Sequence, residues 1–160
     1  MNRKSVRHRG DKQTRRAVTR PVSVTRYIES SALVAALLEG DIAAKASIRA
    51  QGKRVTSALT LTECNRALLR ARLSGRITVQ QQRAALLTVQ RFRRRVHVVS
   101  ITEEILVQAG RRFPMEPIRT LDAIHLATVG ALGEPPAVVT IVTRDARIRD
   151  NATALGHPVE

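Results

Sequence analysis

Four acidic side chains stand out by type and position: Glu29, Glu63, Asp122 and Asp145. Glu29 closes an apolar run in Tyr27-Ile28-Glu29-Ser30-Ser31-Ala32-Leu33, and Glu63 ends Thr60-Leu61-Thr62-Glu63. Asp122 lies in Thr120-Leu121-Asp122-Ala123-Ile124-His125-Leu126-Ala127, and Asp145 ends Val142-Thr143-Arg144-Asp145. Each stands where an apolar stretch gives way to a helix-like pattern. An α/β fold can gather carboxylates from strand ends and helix starts, and such a cluster repels itself unless a cation sits within it. Helix N-termini supply only about 0.3–1 kcal/mol each, too little to assemble four bare carboxylates. Oxygen ligands of this kind suit a hard divalent ion, Mg²⁺ or Mn²⁺. On a basic chain this points to chemistry on phosphate esters, most simply nucleic acid.

Each acid also has a purely structural reading. Glu63 can complete a Thr-x-x-Glu capping box with Thr60. Asp122 suits a helix's first turn, and Asp145 suits an N-cap after a strand. Glu29 is harder to dismiss, because a carboxylate at the end of an apolar strand is costly to bury unpaired. The joint pattern is more specific than any single member.

The elements that must position these acids alternate between strand and helix. Strands are expected at Val24–Ile28, Arg54–Ala58, Val96–Val99 and Ala137–Val142, with a last edge strand at His157–Val159. Helices are expected at Ser31–Glu39 behind serine caps, then Asp41–Ala50, Thr60–Leu73, Thr78–Phe92, Thr102–Phe113, Thr120–Leu132 and Arg144–Leu155. Helical crossovers favour a parallel sheet covered on both faces. Ligands of open α/β sheets gather at the carboxyl ends of the strands, near the point where strand order reverses.

Length and composition bound the alternatives. A chain of 160 residues with 43% hydrophobic residues fits one globular domain with a core of its own. Aromatics make up only 2%, so the core must be aliphatic and base stacking cannot be the main grip on a nucleic acid. No apolar run approaches the roughly 18 residues that span a bilayer, and no signal-peptide pattern opens the chain, so a cytoplasmic protein without membrane attachment is expected. The single cysteine, Cys64, rules out an intrachain disulfide and a cysteine-cluster zinc site.

The formal charge is +15. Residues 1–20 hold eight basic side chains against one acid, a net +7, so the remainder still carries +8. Residues 1–21 lack apolar periodicity and read as a basic, disordered arm, or as a stretch upstream of a true start near Val22 or Val24. Residues 22–160 form the expected domain.

The four segments together resemble a PIN-domain ribonuclease of the VapC type, the toxin half of a toxin–antitoxin pair. Tyr27–Val34 is similar to the family's opening strand, residues 121–127 form the most specific segment, and residues 141–145 are similar to its closing Thr-x-Asp motif. The resemblance spans about residues 24–160. It implies a three-layer α/β/α sandwich with a parallel sheet of about five strands and Mg²⁺-dependent RNA cleavage, with Mn²⁺ as an alternative ion. It further implies inhibition by a VapB-like antitoxin and a homodimer. Glu29, Asp122 and Asp145 would be the metal ligands, with Glu63 as the fourth catalytic acid.

The family normally carries Asp where Glu29 stands. The extra methylene moves the carboxylate by about 1.5 Å, one C–C bond length. This leaves a second reading open: a PIN-like RNA- or antitoxin-binding module with weak or no catalysis.

Weaker signals surround the acids. Thr143 and Ser31 are candidates to hold a metal-bound water or phosphate, or simply to finish a strand and cap a helix. His125, three residues beyond Asp122, reads as a packed, hydrogen-bonded side chain, and Cys64 reads as core. Arg66, Arg70, Arg144 and Arg147 are candidates for a phosphate-binding mouth. A receiver-type phosphoacceptor would need a lysine late in the chain, and none follows Lys53. Two aspartates one residue apart after the first strand, a glycine-rich phosphate loop and a serine triad are all missing.

Overall fold

The computed structural model describes residues 24–160. The expected arm at residues 1–21 and its boundary with the domain lie outside that range.

Four strands form one parallel sheet: β1 (Thr25–Ile28), β2 (Lys53–Ser57), β3 (His97–Val99) and β4 (Val139–Val142), in the order β3-β2-β1-β4. Where a fifth strand was expected, Val159 makes one isolated parallel bridge to Ile141. The chain end still pairs along β4, since the Ile141 N–H donates to the Pro158 carbonyl at 2.9 Å and the Thr143 N–H to the Glu160 carbonyl at 2.9 Å.

The strands β1 and β4 are buried along their whole length, as parallel strands covered on both faces must be. Their alternation builds two cores. Ile28 and Val142 face α1 (Ser30–Val34), α2 (Ile42–Arg49), α3 (Ala58–Leu73) and α4 (Val79–Arg93), meeting Leu33, Ile48, Leu68 and Val89. Tyr27 and Ile141 face the other way, meeting Leu126 and Val129 of α6 (Thr120–Gly130) and Ile148 of α7 (Ala146–Ala154). Helix α5 (Glu103–Ala109) packs beyond α6 through Ile105, Ile124 and Ala127. Helix α6 is enclosed on all sides along its middle: every residue from Ala123 to Val129 is buried, and His125 and Thr128 are the polar ones among them. The three-layer α/β/α expectation holds.

Three local readings change. The first helix passes into a π-helical turn at Ala35–Glu39 before Gly40 closes it at φ 71°. Its cap is Glu29, whose carboxylate accepts the Ser31 N–H, in place of the expected serines. Helix α3 starts two residues earlier than expected, because Ser57 ends β2 and caps the helix by accepting the Thr60 N–H at 3.1 Å. Thr60 is therefore already inside the helix, the Thr60–Glu63 capping box does not form, and Glu63 falls in the second turn. Its side chain is thereby free to point at another element.

Candidate active site at the sheet switch point

Strand order reverses beside β1: β2 and β3 lie on one side of it and β4 on the other. The carboxyl ends of β1 and β4 thus flank the switch point, where such sheets collect their ligands. Glu29 follows β1 directly, and its N–H donates to the Val142 carbonyl at the end of β4, at 3.0 Å. Asp145 follows β4 and caps α7, accepting the N–H groups of Arg147 (2.8 Å) and Ile148 (3.2 Å).

The Glu29 carboxylate is 3% exposed and densely hydrogen-bonded. Its Oε1 accepts the Ser30 hydroxyl at 2.5 Å and the Ser31 N–H at 3.0 Å. Its Oε2 accepts the same N–H at 3.0 Å, the Ser31 hydroxyl, and the Thr143 hydroxyl at 2.8 Å. Burial of this charge is thus met by donors rather than left unpaired. Thr143 also accepts the Asp145 N–H at 3.0 Å, so one buried hydroxyl ties the ends of β1 and β4 together. Ser31 in turn accepts the Arg144 N–H at 2.7 Å.

Glu63 reaches the same place from α3. Its Oε2 lies 2.7 Å from His125 Nε2, and Glu29 Oε1 lies 3.6 Å from that nitrogen. Among the described residues, Glu29, Glu63 and His125 form the one group of three whose ligating atoms all lie within 4.8 Å of one another. Asp122 and Asp145 are outside that tight group. Asp122 is nonetheless coupled to its neighbours: burial raises its carboxyl above the usual range, and the charges of Asp145 and Glu29 push it further. The exposed Arg119, which precedes α6, acts in the opposite direction. Asp122 Oδ2 is buried without a hydrogen-bond partner, so a ligand there would meet an unmet acceptor.

The donor set fits a hard divalent cation. It offers several carboxylates, one orphaned oxygen, and hydroxyl donors on Glu29 that can rotate away to free a lone pair.

The surrounding residues sort themselves. Cys64 is buried, and its thiol is pushed up to about 12 by burial and then by Glu29 and Glu63, so it stays protonated core. Arg66, Arg70 and Arg147 are exposed. Arg144 is committed elsewhere: its Nε donates to Asp41 Oδ2 at 2.7 Å and its Nη1 to the Thr143 carbonyl at 3.2 Å. His125 is packed and hydrogen-bonded as expected, but its partners include a site carboxylate, which a one-helix view could not reveal. Arg119 and Tyr27 were missed as neighbours of the site. For Tyr27 the usable signal was strand alternation, which turns it to the α6 face opposite Ile28.

A parallel sheet with acidic side chains at the carboxyl ends of its strands places the chain among α/β domains whose sites form at the switch point. The model of the PIN domain family matches residues 26–154. Ribonuclease VapC46 of Mycobacterium tuberculosis is 38% identical over 136 residues, covering 83% of this chain and 94% of the relative. Ribonuclease VapC35 of the same species is 31% identical over 133 residues, covering 81% and 90%. This chain belongs to the PIN domain family, among its VapC members.

Two solved structures share the fold. The first is Mycobacterium tuberculosis VapC20, a sarcin-ricin loop cleaving toxin, with TM-score 0.59 and 20% identity over 82% of this chain and 95% of that one. The second is Rickettsia felis VapBC2 bound to a DNA fragment from its promoter, with TM-score 0.58 and 12% identity over 85% and 97%. Among the described residues no helix is long and apolar enough to cross a membrane.

Proposed function

We propose that this chain is the toxin of a VapBC-type pair: a cytoplasmic, metal-dependent endoribonuclease whose domain spans residues 22–160. One observation carries the reading. Glu29 and Glu63 face one another across His125 at the carboxyl end of the sheet, and Asp122, whose charge is coupled to Asp145 and Glu29, has an oxygen, Oδ2, that is buried without a partner. Relatives named as VapC ribonucleases at 31–38% identity support it. Asp122, Asp145 and Glu29 are the residues that would hold Mg²⁺, or Mn²⁺ in its place. When bound, a divalent cation offsets charge on the scissile phosphate and makes water a better nucleophile. Glu63 is 24% exposed, the acid through which a water can be oriented from solvent. Arg66, Arg70 and Arg147 grip RNA phosphates, and binding weakens with salt accordingly. Exposed Leu106 and Val107 on α5, with Met115 and Leu121 nearby in sequence, offer apolar surface for a VapB-like antitoxin or a second copy.

The test is cleavage of structured RNA in Mg²⁺ or Mn²⁺, with and without EDTA. Cleavage that survives EDTA, or that Asp122→Asn leaves intact, ends the proposal.

A second reading has its own observation. Glu29 already serves as a helix cap with both oxygens engaged, which favours a binding module of low turnover. Glu29→Asp separates the two: a large gain in cleavage marks the native chain as the low-turnover form.

A further inference from the structure

The acid at position 63 is held by a side chain that is itself held. His125 is 1% exposed, and both of its ring nitrogens are engaged. Nε2 faces Glu63 Oε2 at 2.7 Å and Glu29 Oε1 at 3.6 Å. Nδ1 faces the Tyr27 hydroxyl at 2.8 Å, and Tyr27 is fully buried. A carboxylate only accepts, so the nitrogen against Glu63 must carry a hydrogen. The other nitrogen of a neutral ring is then a bare acceptor, and the Tyr27 hydroxyl is the donor that meets it.

We propose that His125 is a positioning residue: Tyr27 fixes its tautomer, and its Nε2–H aims the Glu63 carboxylate into the site beside Glu29. The relay Tyr27–His125–Glu63 crosses three elements, β1, α6 and α3. It gives the second-turn position of Glu63 its purpose, because a capping glutamate would have turned back on its own helix. The same N–H, bonded to Glu63, also faces Glu29 Oε1 at 3.6 Å. This inference rests on the nuclease reading of the site, in which Glu63 orients water. Partners of this kind around a metal site typically change metal affinity or activity by about 10–100-fold.

The experiment uses the full chain and five variants: Tyr27→Phe, His125→Gln, His125→Leu, Glu63→Gln and the double variant His125→Leu/Glu63→Gln. Long-range ¹H–¹⁵N NMR of the imidazole reads the tautomer without any turnover. The expected ring carries its hydrogen on Nε2, and Tyr27→Phe weakens that preference. A ring with its hydrogen on Nδ1 alone overturns the proposal.

Titration with Mn²⁺ and RNA cleavage kinetics supply the second readout. Tyr27→Phe and His125→Leu are expected to lower kcat by about tenfold or more with little change in KM. His125→Gln retains an amide N–H within reach of Glu63 and recovers much of that loss. His125→Leu combined with Glu63→Gln is expected to be no worse than Glu63→Gln alone, because the histidine acts through that carboxylate. If His125→Leu does not fold, Tyr27→Phe decides, since it removes one hydroxyl only. Unchanged kcat and Mn²⁺ affinity in Tyr27→Phe, with Glu63→Gln inactive, refutes the relay and leaves the nuclease reading standing. Full activity in Glu63→Gln instead refutes the assignment of Glu63 on which both rest.

Discussion

Replacing Thr143 by valine removes one hydroxyl at nearly constant volume, and its consequence can be worked from the contacts. The hydroxyl is fully buried, donates to Glu29 Oε2 at 2.8 Å, accepts the Asp145 N–H at 3.0 Å and touches the Ser31 hydroxyl at 3.2 Å. A hydrogen bond to a charged acceptor contributes about 1.5–3 kcal/mol, and an N–H left unpaired costs about 1–3 kcal/mol more when water cannot reach it. Asp145 is partly exposed, which discounts the second figure. The expected loss is therefore about 3 kcal/mol, or roughly 6–12 °C in Tm for a chain of this size. Urea unfolding in EDTA measures it, with the slope of the transition unchanged. Thr143→Ser retains the hydroxyl and should recover most of the loss. A valine variant within about 0.5 kcal/mol of the native chain, the range of an ordinary surface change, would refute the claim that Thr143 ties the two strand ends. So would a serine variant no better than valine.

Three further outcomes follow from other parts of the fold. Asp122 is raised by burial and by the charges of Asp145 and Glu29, so its ionised form costs stability at neutral pH, and that cost is relieved as pH falls through the raised value. Asp122→Asn should then be at least as stable in EDTA at pH 7 as the native chain, while RNA cleavage collapses. Thermal unfolding at pH 7 and pH 4 checks it, the gap narrowing at the lower pH.

Asp41 is held down to about 2, chiefly by the Arg144 guanidinium and then by the Ala44 N–H. Its contribution is present above the unfolded value of 3.8 and is lost as pH falls towards 2. Asp41→Asn should lower Tm at pH 7 and match the native chain near pH 2; a pH-independent difference would count against the ion pair.

Gly52 sits at φ 134°, and a Cβ there would lie 2.5 Å from the Val24 carbonyl oxygen. Gly52→Ala should cost about 2–3 kcal/mol, against about 1–2 kcal/mol at Gly133, whose φ is 66° and whose surroundings are open. Equal losses in urea unfolding would show that the contact with Val24 is unimportant.

Much of this molecule is legible in its amino-acid sequence. Apolar runs and their breaks located the strands and helices, because alternation and 3.6-residue periodicity are local properties of the chain. The four acids were legible for the same reason: each marks a transition from apolar run to helix. Their joint recurrence, together with the segment at residues 121–127, carried the resemblance to the family. Tertiary structure alone decided what those acids touch. Thr60 and Glu63 have the spacing of a capping box, but Ser57 ended β2 and capped α3 first, so Glu63 was released to meet a histidine 62 positions away. Tyr27 and Ile28 are neighbours in the chain and serve opposite faces of the sheet. The expected fifth strand shrank to a single bridge at Val159, since pairing depends on a partner edge that no local pattern encodes. Sequence sets which residues can bond and how they prefer to bend. Distances between segments far apart in the chain are set by packing the whole, and the hydrogen bonds that orient a buried carboxylate exist only after that packing is complete.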